Sequence, residues 1–246
     1  MRLEGKTAIV TGAASGFGAG IARIFAREGA TVMVADLNEA AAGAIADEIG
    51  GAAIRTDVSK GADVAAMAQA AMDQWGRIDI VVNNAGITHL PTPLEEVSEE
   101  EFDRVLAVNA KSVYLTAREI VPHMKAARAG AILNIASTAG LSPRPNLNWY
   151  NASKGWMITA TKTMAVELAP FGIRVNALCP VAGETPLLAS FMGEDTPEIR
   201  AKFLATIPLG RFSQPEDMGE AAAFLCSDAA SMITGVALEV DGGRCV

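Results

Sequence analysis

Cysteine and histidine are scarce in this chain. Three cysteines (Cys179, Cys226, Cys245) and two histidines (His89, His123) occur in 246 residues. An odd number of widely spaced thiols builds no disulfide framework and fits the reducing conditions of a cytoplasm. Neither histidine has a partner at ligand-like spacing, so no metal centre is expected. Basic residues are outnumbered, 20 Lys and Arg against 28 Asp and Glu, and the net charge is −8 with no basic run. A field of that sign repels phosphate and excludes nucleic acid as the main partner. No apolar stretch reaches the ~20 residues that cross a bilayer, so no membrane association is expected. The apolar patch after Lys6 resembles the core of a signal segment, but the glycines behind it make it a strand entering a tight turn.

What is present is a chain that is 50% hydrophobic, of the ~250 residues that single α/β domains often reach. One domain over 1–246 is expected, with a core large enough to need no staple. Short β-branched runs alternate with Ala-rich stretches. Strands are expected over Thr7–Val10, Thr31–Ala35, Ala52–Arg55, Ile78–Val82, Ala131–Ile135, Ile173–Leu178 and Val236–Val240. Between them, helices are expected over Gly16–Glu28, Asn38–Ile49, Ala62–Trp75, Ser98–Lys125, Trp149–Leu168 and Pro215–Leu225. Residues 185–209 interrupt the alternation with Pro186, Pro197 and Pro208, and suit an irregular lid. Strict alternation implies a parallel sheet covered on both faces. An open doubly wound sheet and an eight-stranded barrel both fit the length. Seven strands and a glycine cluster at the first strand-to-helix turn favour the open, Rossmann-like sheet.

That cluster is Thr11-Gly12-Ala13-Ala14-Ser15-Gly16-Phe17-Gly18. Glycine permits positive φ and lets backbone N–H groups approach a pyrophosphate, and the following helix offers unpaired N–H groups. Gly12, Ser15, Gly16, Phe17 and Gly18 are therefore candidate cofactor contacts. Asp36 stands 18 residues beyond Gly18, at the end of the second strand. A carboxylate there accepts both adenosine ribose hydroxyls and repels a 2′-phosphate; the plainer role is to cap the helix at Asn38. No Arg or Lys lies within the turn or at Leu37, so NAD is expected over NADP.

Tyr150-Asn151-Ala152-Ser153-Lys154 puts Tyr and Lys four positions apart, one helical turn, on one face. Ser137 ends a strand 13 positions earlier. Together with the glycine turn, Asn83-Asn84-Ala85-Gly86 after the fourth strand, and Asn109 in the long helix, this set resembles the classical short-chain dehydrogenase/reductase family from about Lys6 to Gly243. The resemblance implies a doubly wound fold, a nicotinamide cofactor, a small alcohol or carbonyl substrate and a homotetramer. It makes Tyr150 the general acid/base, Lys154 its activator, Ser137 the carbonyl anchor, and Asn109 a relay residue that keeps its helix locally open. The chemistry agrees. A phenol titrates near pKa ~10, and a neighbouring ammonium favours the phenolate. A hydroxyl can also donate to the oxygen on which charge develops.

The resemblance also places Asp57 and Val58 at the adenine, Asn84, Ala85 and Gly86 along the adenosine, and Pro180, Gly183 and Thr185 near the carboxamide. Val181 stands where the family usually has glycine. The substrate pocket is expected to include His89, Ala139, Leu141, Arg144, Asn148, Val181 and Glu184. Arg144 is the sharpest of these, because a guanidinium forks onto carboxylate, sulfonate or phosphate; otherwise it is a solvated loop arginine. His89 reads as a polar lip residue and Glu184 as a loop carboxylate that could bind a hydroxyl. These residues lean toward a polyol, sugar or hydroxy acid. A 3-oxoacyl thioester is the alternative substrate, although Phe171 fills the place before Gly172 where carrier-binding relatives are basic. A non-catalytic NAD-binding sensor or scaffold is the alternative of another class.

Overall fold

The computed structural model describes every residue from Met1 to Val246. The chain begins with β1 (Thr7–Thr11), α1 (Gly16–Arg27), β2 (Thr31–Asp36), α2 (Glu39–Ile49), β3 (Ala52–Arg55), α3 (Gly61–Trp75) and β4 (Ile80–Asn83). It continues with α4 (Glu99–Leu106), α5 (Ser112–Ala127), β5 (Gly130–Ile135), α6 (Asn148–Leu168) and β6 (Ile173–Pro180). It closes with α7 (Leu188–Met192), α8 (Pro197–Leu204), α9 (Pro215–Cys226) and β7 (Ala237–Val240). All seven strands form one parallel sheet in the order β3-β2-β1-β4-β5-β6-β7. This is the open, doubly wound arrangement; there is no closed barrel.

Alternation along the strands builds a core on each face. On β1, Ala8 and Val10 join one apolar cluster with Ile21 and Phe25 of α1 and Met218 and Ala222 of α9. Ile9 points the other way, into a cluster with Val64 and Met67 of α3, Leu115 and Ile120 of α5, and Ala165 of α6. The central strands carry apolar side chains on both faces because both faces are covered. From β1 the chain steps outward through β2 to β3, then returns to lay β4 on the other side of β1. This reversal opens a crevice at the carboxyl ends of β1 and β4, where open sheets bind ligands.

Two segments differ from the sequence expectation. Ser98–Lys125 is not one helix: a π turn, Ala107–Lys111, separates α4 from α5. Asn109 lies in that turn and is fully buried, its side chain bonded to Ile87 rather than to its own helix. The widened turn is a local adjustment at a functional position. The lid is also more regular than its prolines suggest. Thr196 caps α8, accepting from Ile199 N at 3.3 Å, and Pro197 takes the first helical position, where its missing N–H costs nothing. Gly193, at φ +79°, makes the turn between α7 and α8.

Candidate active site

The crevice is a cavity of about 450 Å³ that runs from the glycine turn to the lid. Gly12 and Gly16 both have positive φ, at +63° and +54°. A Cβ on Gly12 would sit 2.7 Å from Ala85 Cα, so the turn lies directly on the end of β4. Asn84 Nδ2 locks the two together by donating to Thr11 O (2.8 Å) and Gly12 O (2.9 Å). The first N–H groups of α1 have no partners inside the helix and face this end of the cavity. Gly12, Ser15, Gly16, Phe17, Asn84, Ala85 and Gly86 all line it. Gly18 does not. A Cβ there would meet Gly12 O at 2.2 Å, so its smallness serves the packing of helix on turn.

Asp36 lines the cavity and braces the turn, its Oδ2 accepting from Ala14 N (3.0 Å) and its Oδ1 from Asn38 N (2.9 Å). It does not cap α2; Asn38 does, through Ala41 N. Asp36 therefore presents negative charge at the cavity edge beside the exposed Leu37. Asp57 and Val58 line the same end. Hydrogen bonding from Ser59 and the charge of Lys60 hold the Asp57 carboxyl below its ordinary pKa against a cost of burial. This surface has a glycine cradle for a pyrophosphate, free N–H groups at a helix start, and a carboxylate at ribose distance from the turn in sequence. It fits a dinucleotide.

At the middle of the cavity, Ser137, Tyr150 and Lys154 all line the wall. Ser137 follows β5 by two residues and caps the short turn Thr138–Gly140, its Oγ accepting from Ala139 N at 3.0 Å. Tyr150 and Lys154 leave the first turns of α6 on one face, with Lys154 Nζ 5.9 Å from the Tyr150 ring centroid. Nζ donates to Ile135 O at 2.7 Å. Burial pulls the Lys154 pKa down to about 8. Burial pushes the Tyr150 phenol up to about 12, opposed by hydrogen bonding from Ser137 and by the charge of Arg144. Cys179 sits beneath this group, its thiol pushed up to about 12 by burial and so kept neutral.

Asn109 lies outside the cavity wall. Its Nδ2 donates to Ile87 O (2.9 Å) and Ser153 Oγ (3.0 Å), and its Oδ1 accepts from Ile87 N (2.9 Å). It pins the loop after β4 to α6. Gly86 fits between it and Lys154: a Cβ there would be 3.3 Å from Lys154 Nζ and 3.4 Å from Asn109 Oδ1.

Pro180, Val181, Gly183 and Thr185 line the cavity after β6. Val181 replaces a glycine without harm, because its side chain packs with Leu188, Ile207 and Phe212 under the lid. Gly183 is the position with no room, since a Cβ would meet the Phe17 ring at 2.3 Å. Of the expected substrate residues, Arg144 and Val181 line the cavity. Five others do not. His89 is buried, with Nδ1 donating to Leu90 O at 2.8 Å. Ala139 spends its N–H on Ser137, and Leu141 is exposed on the outside of that turn. Asn148 is exposed at the start of α6. Glu184 turns away to an ion pair with Arg200 at 2.8 Å. The lid residues Leu187 and Phe191, and Ile87 and Val108 near the π turn, line the cavity instead. Composition marked the lid as a closing segment but carried no sign of which residues face inward.

Comparison with known proteins agrees with this geometry. Residues 12–244 match a family model described as enoyl-(acyl carrier protein) reductase. The chain belongs to the classical short-chain dehydrogenase/reductase family. Members of this family are oxidoreductases that act on CH–OH groups with a nicotinamide cofactor. A 4-formylbenzenesulfonate dehydrogenase from Comamonas testosteroni is 52% identical over 99% of both chains. A cis-4-hydroxycyclohexanecarboxylate dehydrogenase from Sinomonas cyclohexanicum is 40% identical, covering 97% of this chain and 96% of that one. The crystal structure of a 3-ketoacyl-(acyl-carrier-protein) reductase from Brucella melitensis complexed with NADH superposes with a TM-score of 0.93 at 54% identity, over 99% of this chain and 100% of that one. No helix of this short-chain dehydrogenase/reductase is long and apolar enough to cross a membrane.

Proposed function

We propose that the protein is an NAD-dependent oxidoreductase that interconverts a polar or secondary alcohol and its carbonyl. The observation that carries this reading is the meeting, in one cavity, of Asp36 and the glycine turn with Ser137, Tyr150 and Lys154. Asp36 repels a 2′-phosphate, which supports NAD over NADP. When bound, the nicotinamide cofactor supplies or accepts the hydride. Tyr150 takes the hydroxyl proton in oxidation and returns it to the carbonyl oxygen in reduction. Ser137 Oγ donates to that same oxygen as negative charge builds on it. Lys154 commits one of its three N–H donors to Ile135 O, leaving two for the cofactor's ribose hydroxyls. Asn109 keeps the Ile87 loop in place and so fixes that part of the cavity wall.

A 3-oxoacyl thioester is the second reading, favoured by the name of the NADH-bound Brucella relative. Against it, Phe171 rather than a basic residue precedes Gly172, and the cations of this corner are Lys125, 4.4 Å over the Phe171 ring, and Arg128, which donates to Pro170 O. A homotetramer is supported by the exposed Tyr114 on α5 and by Trp156 and Val166 on α6, large apolar side chains that a neighbour would cover.

The test is Tyr150→Phe, which keeps the ring and removes the proton carrier. Turnover of NAD with alcohols is expected to fall by about 10²–10⁴-fold, while titration of the protein's tryptophan fluorescence still shows NAD binding. Wild-type turnover in this variant would overturn the reading.

A further inference from the structure

Arg144 and Arg244 stand apart from the other arginines of the chain. Arg2, Arg23, Arg27, Arg55, Arg77, Arg104, Arg118, Arg200 and Arg211 each hold a carboxylate. Arg128 and Arg174 donate to backbone carbonyls. The guanidinium groups of Arg144 and Arg244 have neither kind of partner. In a chain with 28 acidic residues against 20 basic ones, an unpaired guanidinium is an exception that needs a reason. The reason is not exposure for Arg144. It is half-buried, it lines the cavity that holds Tyr150, and its guanidinium carbon lies 4.6 Å over the Phe203 ring of the lid.

The local chemistry makes this costly without a ligand. Desolvation is the larger cause that pulls the Arg144 pKa below its ordinary value, and the charge of Arg244 adds to it. The positive charge of Arg244, on the C-terminal turn, thus adds to the cost of leaving Arg144 unpaired. The carboxylates around Arg144 are engaged elsewhere: Glu184 and Asp195 both hold Arg200, Asp241 accepts from Gly243 N and Cys245 N on the C-terminal turn, and Asp36 and Asp57 line the glycine-turn end, among Gly12, Ser15 and Thr56. The backbone that carries Arg144 is also held in place, since Asn151 Nδ2, on the turn that bears Tyr150, donates to Arg144 O at 2.7 Å. The loop is therefore fixed to the same helix as the catalytic phenol. The remaining wall is apolar: Val181, Leu187 and Phe191 line it.

We infer that the substrate is a compact anion, a carboxylate or sulfonate joined through an apolar ring or short chain to the alcohol or carbonyl that reacts, with Arg144 binding the anionic group. This deepens the oxidoreductase reading and rests on it. Arg144 neutralises the charge in a half-dry site, where a bidentate, charge-assisted pair is strong. The Phe203 ring lies 4.6 Å from the guanidinium carbon, a contact that restricts the side chain before an anion arrives. The anion sits at the lid end while its hydroxyl or carbonyl reaches Ser137 and Tyr150. Neutral alcohols of the same shape lack the partner that the guanidinium requires, and they leave it unpaired.

The experiment uses two matched aldehydes, 4-formylbenzoate and 4-formylbenzamide, titrated calorimetrically into the wild-type chain and into Arg144→Gln and Arg144→Lys. 4-Formylbenzenesulfonate in a further arm tells a sulfonate preference from a carboxylate one. The wild type is expected to bind the better anion at least about tenfold more tightly than the amide. Arg144→Gln is expected to bring that ratio close to one, and Arg144→Lys to restore part of it. A structural role for Arg144 as a lid latch predicts instead that both affinities fall together and the ratio survives, and that result overturns the proposal. So does a wild type that binds anion and amide alike, or binds none of the three. Thermal denaturation of both variants identifies one that has not folded, in which case Arg144→Lys alone decides the ratio. The corresponding alcohols are then assayed with NAD. Reduction of NAD by the neutral alcohol as readily as by the anions retains the oxidoreductase reading and rejects the anionic substrate. Absence of NAD reduction with every alcohol rejects the oxidoreductase reading, and the titration still decides whether Arg144 selects an anion.

Discussion

The Phe191 ring of the lid meets the Tyr150 ring edge-on, with centroids 5.0 Å apart and planes at 68°. The lid thereby keeps water from the phenol, and burial is the main cause of its pKa near 12. Arg144 acts in the opposite sense, because its charge favours the phenolate. Alcohol oxidation needs the phenolate, so its rate rises with pH. Phe191→Ala admits water and is expected to move that rise to lower pH. Arg144→Gln removes the favourable charge and is expected to move it to higher pH. The pH profile of kcat/KM for oxidation measures both, and shifts in the same direction would contradict this account.

In the proposed function, Asp36 sets cofactor choice by charge. Asp36→Ala is expected to narrow the preference for NAD over NADP by about tenfold or more, read as the ratio of kcat/KM values. It also frees Ala14 N and Asn38 N, which the carboxylate now holds, so affinity for NAD itself should drop. An unchanged ratio would remove Asp36 from the cofactor site.

Lys154 makes stability depend on pH with a definite sign. Burial lowers its pKa in the folded chain to about 8, below the unfolded value of 10.5. Between those values the unfolded chain binds more protons, so this residue's contribution to stability rises with pH and is lost as pH falls toward 8. Denaturation of wild type and Lys154→Met, compared at pH 7.5 to 9.5, a range of about two units, is expected to shift in favour of the wild type as pH rises, by up to ~3 kcal/mol. A difference that is constant with pH would show that Lys154 is not desolvated.

Two glycine-to-alanine changes should act in opposite directions. A Cβ on Gly18 would lie 2.2 Å from Gly12 O, where backbone cannot yield, whereas nothing lies within 4 Å of one on Gly43 in α2. Gly18→Ala is expected to destabilise by ~1–3 kcal/mol or more. Gly43→Ala is expected to stabilise by ~0.4–1 kcal/mol. Urea denaturation checks both.

Much of the site was legible because local geometry produces it. Tyr150 and Lys154 share a face because four residues make one helical turn. Gly12 and Gly16 are needed where φ turns positive. The failures fall where side-chain direction depends on distant packing. His89, Leu141, Asn148 and Glu184 lie on the expected loops but point to Leu90 O, solvent or Arg200. The break at Ala107–Lys111 was invisible to periodicity, because Ile87, whose N–H and C=O Asn109 satisfies, is 22 residues away in sequence.

By itself the amino-acid sequence determined the alternation of strands and helices, the glycine turn and the tyrosine–lysine pair, since each depends on neighbours within one or two turns of chain; Ser137, 13 residues before Tyr150, was legible only through the family resemblance. Only the tertiary structure decided which charges go unpaired and which lid rings face inward. Arg144 comes to rest among Phe203, Tyr150 and Arg244 because the lid folds over the sheet edge and the C-terminal turn lies nearby. Contacts between segments so far apart are set by how the two layers pack, and no local pattern encodes them.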